Sequence, residues 1–160
     1  MTFLTNNKER IPEEALLHLD QQLCFALYST SLAMTKVYKP LLEQLGLTYP
    51  QYLVMLILWQ NDALELQQIG EQLQIASGAL TPVLKRMEKM GLLQRSRNPQ
   101  NERALEIRLT QSGWAMRATA AEKVQVNRQI SLKSGMADAE IQALKQELVQ
   151  LRRQLNKPEL

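Results

Sequence analysis

The 160-residue sequence has few of the residues that build metal sites, disulfide frameworks or nucleophilic active sites, with one cysteine, Cys24, and one histidine, His18. A lone cysteine excludes an intrachain disulfide and suits a reducing compartment, and with a single histidine it also excludes a Cys/His zinc cluster. The sequence has no glycine-rich phosphate loop and no Ser/His/Asp set. We therefore expect no metal site, no cofactor and no enzyme activity.

Glycine, proline and long hydrophobic runs are scarce as well. Six glycines and six prolines are typical of long helices, and 45% hydrophobic with 22% charged residues is typical of a globular protein. No apolar run is long enough to span a bilayer, and the segment from Met1 to Arg10 lacks the apolar core of a signal peptide. We expect a mainly α (α+β) protein that forms one domain over residues 1–160, in the cytoplasm and without a membrane contact.

Two short helical patterns separated by a turn stand in the middle of the chain. The first runs from Leu66 to Ile75 with its apolar residues on one face, and Ser77-Gly78 then supplies a turn and a hydroxyl that can cap a second helix. The second helix repeats apolar residues at helical spacing until Gly91, which is expected to end it. Its other face carries polar and basic side chains, namely Ser77, Thr81, Lys85, Arg86 and Lys89.

A β-hairpin is predicted directly after this helix. A first strand starting near Leu92 meets the turn Asn98-Pro99-Gln100-Asn101, after which apolar and polar residues alternate as far as Leu109. Arg97 precedes the turn and Arg103 follows it. The tip of the hairpin is therefore a cationic finger of the width that fits a DNA minor groove.

This order of elements predicts a winged helix-turn-helix over residues 63–110 that binds double-stranded DNA. Seven Lys or Arg and three Glu lie between Ser77 and Arg108, a local charge of +4, whereas the whole chain carries +3. A solvated charged helix beside an ordinary hairpin is the alternative interpretation. The predicted DNA-binding residues are Ser77, Gly78, Thr81, Lys85, Arg86, Arg95, Arg97 and Arg103.

Apolar helices flank the predicted reader on both sides. A long helix from Pro12 to about Lys39, covered on most of its sides, is followed by an interruption at Pro40 and then by a helix from Gln51 to Gln60. After the hairpin, a helix is predicted from Thr110 to Ile130. The final helix has apolar residues at coiled-coil spacing, at Ile141, Leu144, Leu148, Leu151 and Leu155. We expect residues 12–62 and 111–155 to form a homodimer, and the alternative is that the final helix packs on the first helix of its own chain.

The only thiol lies among leucines. All four tyrosines of the chain follow it within thirty residues of sequence, at Tyr28, Tyr38, Tyr49 and Tyr52. An inert core cysteine is the ordinary expectation for such surroundings. The tyrosine grouping suggests instead a reactive Cys24, although Asp20 one turn away disfavours a thiolate. In a continuous helix, Cys24 and Tyr38 are separated by about 21 Å. Either that helix breaks or Tyr38 reaches the thiol of the other subunit.

Several motifs resemble the MarR family of bacterial regulators. The likeness is carried by Ser77-Gly78-Ala79-Leu80-Thr81-Pro82-Val83-Leu84-Lys85-Arg86-Met87-Glu88, by Gly91-Leu92 and by Leu109-Thr110-Gln111-Ser112-Gly113. Two further segments are similar to the organic hydroperoxide resistance regulators within that family, namely Leu19 to Ser31 and the stretch from Lys39-Pro40-Leu41-Leu42 through Leu47-Thr48-Tyr49-Pro50-Gln51-Tyr52-Leu53-Val54-Met55. The resemblance covers roughly Leu19 to Gly113.

The resemblance implies a homodimeric repressor whose reduced form holds its operator. An organic hydroperoxide would oxidise Cys24, with Tyr38 and Tyr49 as its hydroxyl partners, to a sulfenic acid that forms a disulfide or a higher oxide and releases the DNA. On the DNA side, the resemblance places four residues of the second helix in the major groove and Arg103 in the minor groove. Those four are Ser77, Thr81, Lys85 and Arg86.

Two departures from the family pattern affect these expectations. Many relatives carry Asp-Glu-Arg in the wing where this chain has Asn101-Glu102-Arg103, so an ion pair that would orient Arg103 is absent. Two-cysteine members place a resolving cysteine around residues 129–134, where this chain has none. It is either a one-cysteine sensor that needs a low-molecular-weight thiol, or a form in which Ser131 or Ser134 stands in place of a natural cysteine.

Two other functions compete with redox sensing. A regulator of the same fold could be released by a small phenolic or antibiotic ligand, with Cys24 as a structural residue. A thiol peroxidase would need a cation near Cys24 to polarise the peroxide, and Asp20, Gln21 and Gln22 supply none. The peroxidase is therefore weaker than either regulator. A pure coiled-coil scaffold is weaker still, since it leaves the arginine-flanked wing without a function.

Overall fold

A computed structural model describes residues 12–159 of the chain, so the prediction for Met1 to Arg10 lies outside the described residues. Two 3₁₀ turns, Glu13–Leu17 and Leu19–Gln21, come first. The elements that follow are α1 (Leu23–Glu43), α2 (Tyr49–Gln60), β1 (Leu64–Glu65), α3 (Leu66–Leu73), α4 (Ser77–Lys89), β2 (Leu93–Asn98), β3 (Asn101–Leu109), α5 (Gln111–Lys123), α6 (Val126–Ser134) and α7 (Asp138–Leu155). The strands form one antiparallel sheet in the order β1-β3-β2. The predicted mainly α fold with a winged helix-turn-helix is confirmed.

The first helix differs from its prediction. His18 and Gln22 have extended backbone conformations, so residues 12–22, the first eleven of the predicted helix, form two 3₁₀ turns and their extended flanks, and α1 begins only at Leu23. The expected interruption at Pro40 is wrong, because α1 continues through this proline to Glu43. The cost of a proline inside a helix, about 3 kcal/mol, is opposed by the burial of Leu42, which is 3% exposed.

The chain divides into two compact units, of which the first ends at Lys36 and the second begins at Val37. The first unit contains the two 3₁₀ turns and most of α1. Its apolar side chains are exposed to solvent, among them Leu23 (62%), Leu27 (38%) and Leu32 (50%). The expectation that this helix is covered on most of its sides is therefore wrong for the single chain.

Helix α2 forms the centre of the second unit. Its side chains are mostly apolar, and Val54, Met55 and Leu58 are completely inaccessible to solvent, whereas Leu56 is 36% exposed. A capping box fixes where it starts: the Thr48 hydroxyl accepts from the Gln51 amide, and the Gln51 side chain accepts from the Thr48 amide at 3.0 Å. The helix therefore begins two residues before its predicted start.

The predicted helix from Thr110 to Ile130 is two helices, α5 and α6, separated by the non-helical residues Val124 and Gln125. Helix α7 forms as predicted, but its seam residues are only partly covered: Leu144 is 46% exposed and Leu148 is 39% exposed. Within residues 12–159, no helix combines the length and the apolar character that crossing a membrane requires.

Helix α5 is held against the core by a close backbone approach. The Trp59 indole N–H donates to the carbonyl oxygen of Gly113 at 3.0 Å. A Cβ at position 113 would lie 2.2 Å from the carbonyl oxygen of Leu92 and 3.1 Å from a methyl group of Leu109. Since the nearest atom is backbone, the overlap can be relieved only by moving α5 or the segment before β2.

We expect Gly113→Ala to lower the free energy of unfolding by about 3 kcal/mol, which corresponds to a fall in Tm of about 9 °C. Thermal unfolding followed by circular dichroism measures this shift. Gly78→Ala is the matched control, because nothing lies within 4 Å of a Cβ at that exposed helical position. Equal Tm values for the two variants would contradict the close approach.

Candidate functional site

The helix-turn-helix is formed by α3 and α4, at the positions predicted for them. Gln74 ends α3 in a left-handed conformation (φ 58°), and the Ile75 amide donates back to the Gly70 carbonyl at 2.9 Å. A Cβ at position 70 would lie 2.8 Å from the carbonyl oxygen of Ile75. Glycine at position 70 therefore permits the tight turn that sets the direction of α4.

Helix α4 has one buried face and one exposed face. Leu80, Leu84 and Met87 pack in the core, and Gly91, with φ 77°, follows the end of the helix as predicted. The predicted cap at Ser77 is wrong, because Ala76 is the N-cap and Ser77 is the first helical residue. The exposed or half-exposed face holds the predicted DNA-binding residues Ser77, Gly78, Thr81, Lys85 and Arg86.

The wing is the hairpin of β2 and β3, paired from Leu93 opposite Leu109 to Asn98 opposite Asn101. Its tip is ordered by side chains: Asn98 accepts from the Gln100 amide at 2.9 Å, and Asn101 accepts from the Arg103 amide at 3.2 Å. Position 101 therefore shapes the turn even without a carboxylate. The Arg97 guanidinium donates to the Glu102 carbonyl at 2.7 Å, which places it at the tip of the hairpin, next to the residue that precedes Arg103.

Two acidic residues that the sequence analysis did not single out attach the wing to the rest of the reader. Asp62 accepts from the Leu109 amide at 2.9 Å, and Glu65 accepts from the Asn98 side chain at 3.2 Å. Neither residue belongs to a recognisable motif, because each partner lies more than thirty positions away in the sequence.

The seven basic residues from position 85 to 108 fall into two groups. Arg95 forms an ion pair with Glu88 at 2.8 Å, and Arg108 forms one with Glu106 at the same distance. In the part of the chain that the structure describes, the other five have no carboxylate partner, and they are Lys85, Arg86, Lys89, Arg97 and Arg103. The structure thus separates cations available to a ligand from cations already neutralised.

Arg95, which the sequence predicts to bind DNA, is one of the two cations that are paired with a carboxylate. Its backbone amide, at 3.0 Å, and its guanidinium, at 2.8 and 2.9 Å, all donate to the Glu88 carboxylate. These hydrogen bonds, led by that of the backbone amide, hold the pKa of Glu88 below its ordinary value. The pair connects α4 to the first strand of the wing.

The Glu88–Arg95 pair makes stability depend on pH in a definite direction. Because the folded-state pKa of Glu88 is depressed, its contribution is complete above the ordinary glutamate pKa of about 4.3 and is lost as the pH falls below it. We expect Glu88→Gln to cost on the order of 1 kcal/mol at neutral pH, since a partly exposed pair is screened by solvent. Thermal unfolding of both proteins at neutral pH and at about pH 3 measures the difference. Parallel pH profiles would contradict the prediction.

Cys24 lies in the first turn of α1 and its side chain is exposed. The ordinary expectation of an inert core cysteine is therefore wrong for the single chain. Tyr28, one helical turn further on, is also exposed (64%). A thiol in this position is accessible to a small reactant or to a second protein molecule.

The other three tyrosines form a cluster in the second unit. The ring centroids of Tyr38 and Tyr49 are 4.9 Å apart, and those of Tyr38 and Tyr52 are 6.4 Å apart. Burial, with smaller contributions from Tyr49 and Tyr52, raises the pKa of Tyr38 to about 12. Tyr38 is therefore a neutral phenol that can donate a hydrogen bond at physiological pH, and Tyr49, at 40% exposed, is open to solvent.

The residues around the expected position of a resolving cysteine are engaged locally. The Ser131 hydroxyl donates to the Met136 carbonyl at 2.8 Å, and the Ser134 hydroxyl donates to the Ile130 carbonyl at 2.7 Å. Both serines stabilise the turn between α6 and α7. Across residues 12–159, no three His, Cys, Asp or Glu side chains are grouped as a metal site would require.

The sequence and the fold were compared with those of known proteins. A sequence model of the MarR family matches residues 47–105. The organic hydroperoxide resistance transcriptional regulator of Bacillus subtilis is 49% identical over 106 residues, which are 66% of this chain and 72% of that protein.

Solved structures of AbfR from Staphylococcus epidermidis have the same fold. Its overoxidised form bound to DNA has a TM-score of 0.72 and 34% identity, covering 90% of this chain and 99% of that one. Its reduced form bound to DNA has a TM-score of 0.69 and 35% identity, covering 87% and 96%. Its disulfide form has a TM-score of 0.60 and 31% identity, covering 90% and 97%. The chain therefore belongs to the MarR family of transcriptional regulators, which are not enzymes, and within that family it is similar to the organic hydroperoxide resistance regulators.

Proposed function

We propose that the protein is a cytoplasmic, homodimeric repressor that binds double-stranded DNA and releases it when an organic hydroperoxide oxidises Cys24. The observation that carries this proposal is the exposed thiol at the start of α1. The same chain holds Tyr38 and Tyr49 in contact with each other, as a pair of phenols that a thiol could meet. The similarity to a hydroperoxide resistance regulator supports the choice of oxidant.

On DNA, α4 enters the major groove with Ser77, Thr81, Lys85 and Arg86, while Arg103 at the wing tip enters the minor groove. This arrangement is supported by the exposed face of α4 and by the carboxylate-free cations of helix and wing. The wing also carries Arg97 to phosphate contacts. We infer that Arg95 serves instead to hold the wing in position, because Glu88 occupies its guanidinium.

Dimerisation follows from the exposed apolar side chains of the first unit, which a soluble chain does not leave in water over so large a face. Residues 12–62 and 111–155 are the proposed dimerisation segments. Helix α1 is a single helix that contains both Cys24 and Tyr38, which supports a contact between copies over a contact within one helix. The thiol of one copy then lies beside Tyr38 and Tyr49 of the other.

The redox step needs one oxidant and one external thiol. The Cys24 thiolate attacks the outer oxygen of the hydroperoxide, an S–O bond forms, the O–O bond breaks, and the alkoxide takes a proton and leaves as an alcohol. A low-molecular-weight thiol then attacks the sulfenic sulfur, forming a mixed disulfide and water. Neutral phenols beside the sulfur stabilise its thiolate by donating hydrogen bonds.

The mixed disulfide is the releasing species in this proposal. AbfR was solved on DNA in its overoxidised form as well as its reduced form, so overoxidation is compatible with DNA binding in that protein. On Cys24, a thiol adduct would be much larger than the oxygen atoms of a higher oxide, and it would separate the two copies where they meet. The chain has no second cysteine that could take the place of the external thiol.

Fluorescence anisotropy on an operator selected by the protein from a random pool tests the proposal. Cumene hydroperoxide with a low-molecular-weight thiol should release wild type and leave Cys24→Ser bound, and mass spectrometry should find one thiol adduct per released chain. The peroxide alone should release much less. Equal release of wild type and Cys24→Ser would refute redox sensing.

That last result would favour a ligand-released regulator, for which the second unit offers a specific observation. A cleft of about 250 Å³ lies between α2 and α5. Tyr52, Trp59 and Arg117 line it, which are side chains suited to an aromatic acid. Release of Cys24→Ser by a phenolic acid without any oxidant would support this second candidate.

A further inference from the structure

The end of α7 reaches the DNA-reading part of the second unit. The side-chain amide of Asn156, which caps α7, donates to the Gln74 side chain at 3.1 Å. Gln74 is the left-handed residue at which α3 ends and the turn into α4 begins. The contact joins two segments that are 82 positions apart in the sequence.

This turn faces DNA in a helix-turn-helix, because the recognition helix presents its N-terminal residues to the base edges and the preceding helix crosses the phosphate backbone. Ser77 begins α4 only three residues after Gln74. Whatever lies beside Gln74 is therefore close to the backbone of bound DNA. The side chains beside it are those of the last turn of α7.

The last turn of α7 and the residues just after it are basic. Arg152, Arg153 and Lys157 lie within four residues of Asn156, and all three are exposed. In the described part of the chain none of them has a carboxylate within salt-bridge distance. The carboxylate of Glu71, which is also near the turn, accepts a hydrogen bond from Gln67 at 3.1 Å. The charge of this cluster is thus available to an external anion.

We propose that the C-terminal end of α7, formed by Arg152 and Arg153 in its last turn and by Lys157 two residues beyond it, is a second DNA-binding surface that contacts the phosphates flanking each half-site. Asn156 is its positioning residue, because its bond to Gln74 sets the basic turn beside the reader. The surface reads no bases, since flexible lysine and arginine side chains on an exposed helix end contact the backbone. It lengthens the footprint of the protein and strengthens binding to DNA that continues beyond the operator.

The inference rests on the proposed DNA binding, and two duplexes separate the failure of one from the failure of the other. One duplex is trimmed to the operator, and the second extends it by about ten base pairs on each side, roughly one helical turn. Wild type should bind the extended duplex about tenfold more tightly than the trimmed one. Its binding to the trimmed duplex reports on the reader alone.

The test variant carries Arg152→Gln, Arg153→Gln and Lys157→Gln, and the trimmed duplex is its internal control. It should lose the preference for the extended duplex, keep its affinity for the trimmed one and remain a dimer in analytical ultracentrifugation. For the test variant on the extended duplex, the slope of log K against log salt should become shallower by about 5, because six phosphate contacts per dimer are lost.

Asn156→Ala keeps every charge and loses only the tie to Gln74, so we expect it to reduce the flank preference by about half on a logarithmic scale. An unchanged preference in the triple variant, together with normal binding to the trimmed duplex, overturns the inference and leaves the reader intact. If wild type binds neither the trimmed nor the extended duplex, the proposed DNA binding itself is refuted.

Discussion

Raising the salt concentration from about 50 to about 200 mM is expected to weaken binding to the trimmed operator by a factor on the order of 10³ to 10⁵. Each chain offers five basic side chains of the reader that have no carboxylate partner in residues 12–159, and a dimer offers twice that number. Each phosphate neutralised releases counterions and contributes about −0.9 to the slope of log K against log salt. The slope for the dimer should therefore approach about −9.

Two double variants test which cations cause this dependence. Arg97→Ala with Arg103→Ala removes four contacts per dimer, and the slope should become shallower by about 3 to 4. Glu106→Gln with Arg108→Gln removes an ion pair that is already neutral, so it should leave the slope unchanged. Fluorescence anisotropy at several salt concentrations gives both slopes. A wild-type slope shallower than about −4 would show that most of these cations do not touch phosphate.

The reader could be predicted from the sequence because its signals are local. The apolar spacing of α3 and α4, the glycine at position 91 and the alternation before Leu109 each depend on residues within one turn or one hairpin of each other. The same local pattern also gave the position of the wing turn. These elements were therefore placed within a residue or two.

The state of each charge in that reader could not be predicted in the same way. Arg95 and Arg97 are two residues apart in one strand, yet the first is paired with Glu88 and the second has no carboxylate partner among the described residues. The difference depends on how the wing folds back on α4, which is a tertiary contact. The tie between Asn156 and Gln74 was invisible for the same reason.

The first helix was predicted wrongly because tertiary contacts, or their absence, overrode two local rules, one for proline and one for helical periodicity. Pro40 normally ends a helix, but here the chain continues to bury Leu42 in the core. In the opposite direction, residues 13–21 have the apolar spacing of a helix and form 3₁₀ turns instead. Their leucines have no core to pack against in the single chain, and helical periodicity alone is a weak stabiliser.

Those uncovered leucines lead to the second large effect, on assembly. Replacing Leu27 and Leu32 by Glu is expected to dissociate the proposed dimer, because each copy would then bury two unpaired carboxylates, four per dimer, in the shared interface. We expect the dimer dissociation constant to rise at least about 100-fold. Analytical ultracentrifugation at micromolar concentration should then show monomers, where wild type shows dimers.

Operator binding should fall with the dimer. Two linked readers bind two half-sites with an effective concentration in the millimolar range, so a monomer should lose on the order of 10² to 10⁴ in affinity. Leu27→Met with Leu32→Met is the matched control, since it alters the same positions, keeps the apolar surface and should remain dimeric. The folded reader can be followed separately through tryptophan fluorescence, which includes that of the buried Trp59 and should be the same in all three proteins. If the Glu variant stays dimeric and bound to DNA, the exposed face of α1 is not the surface through which two copies meet.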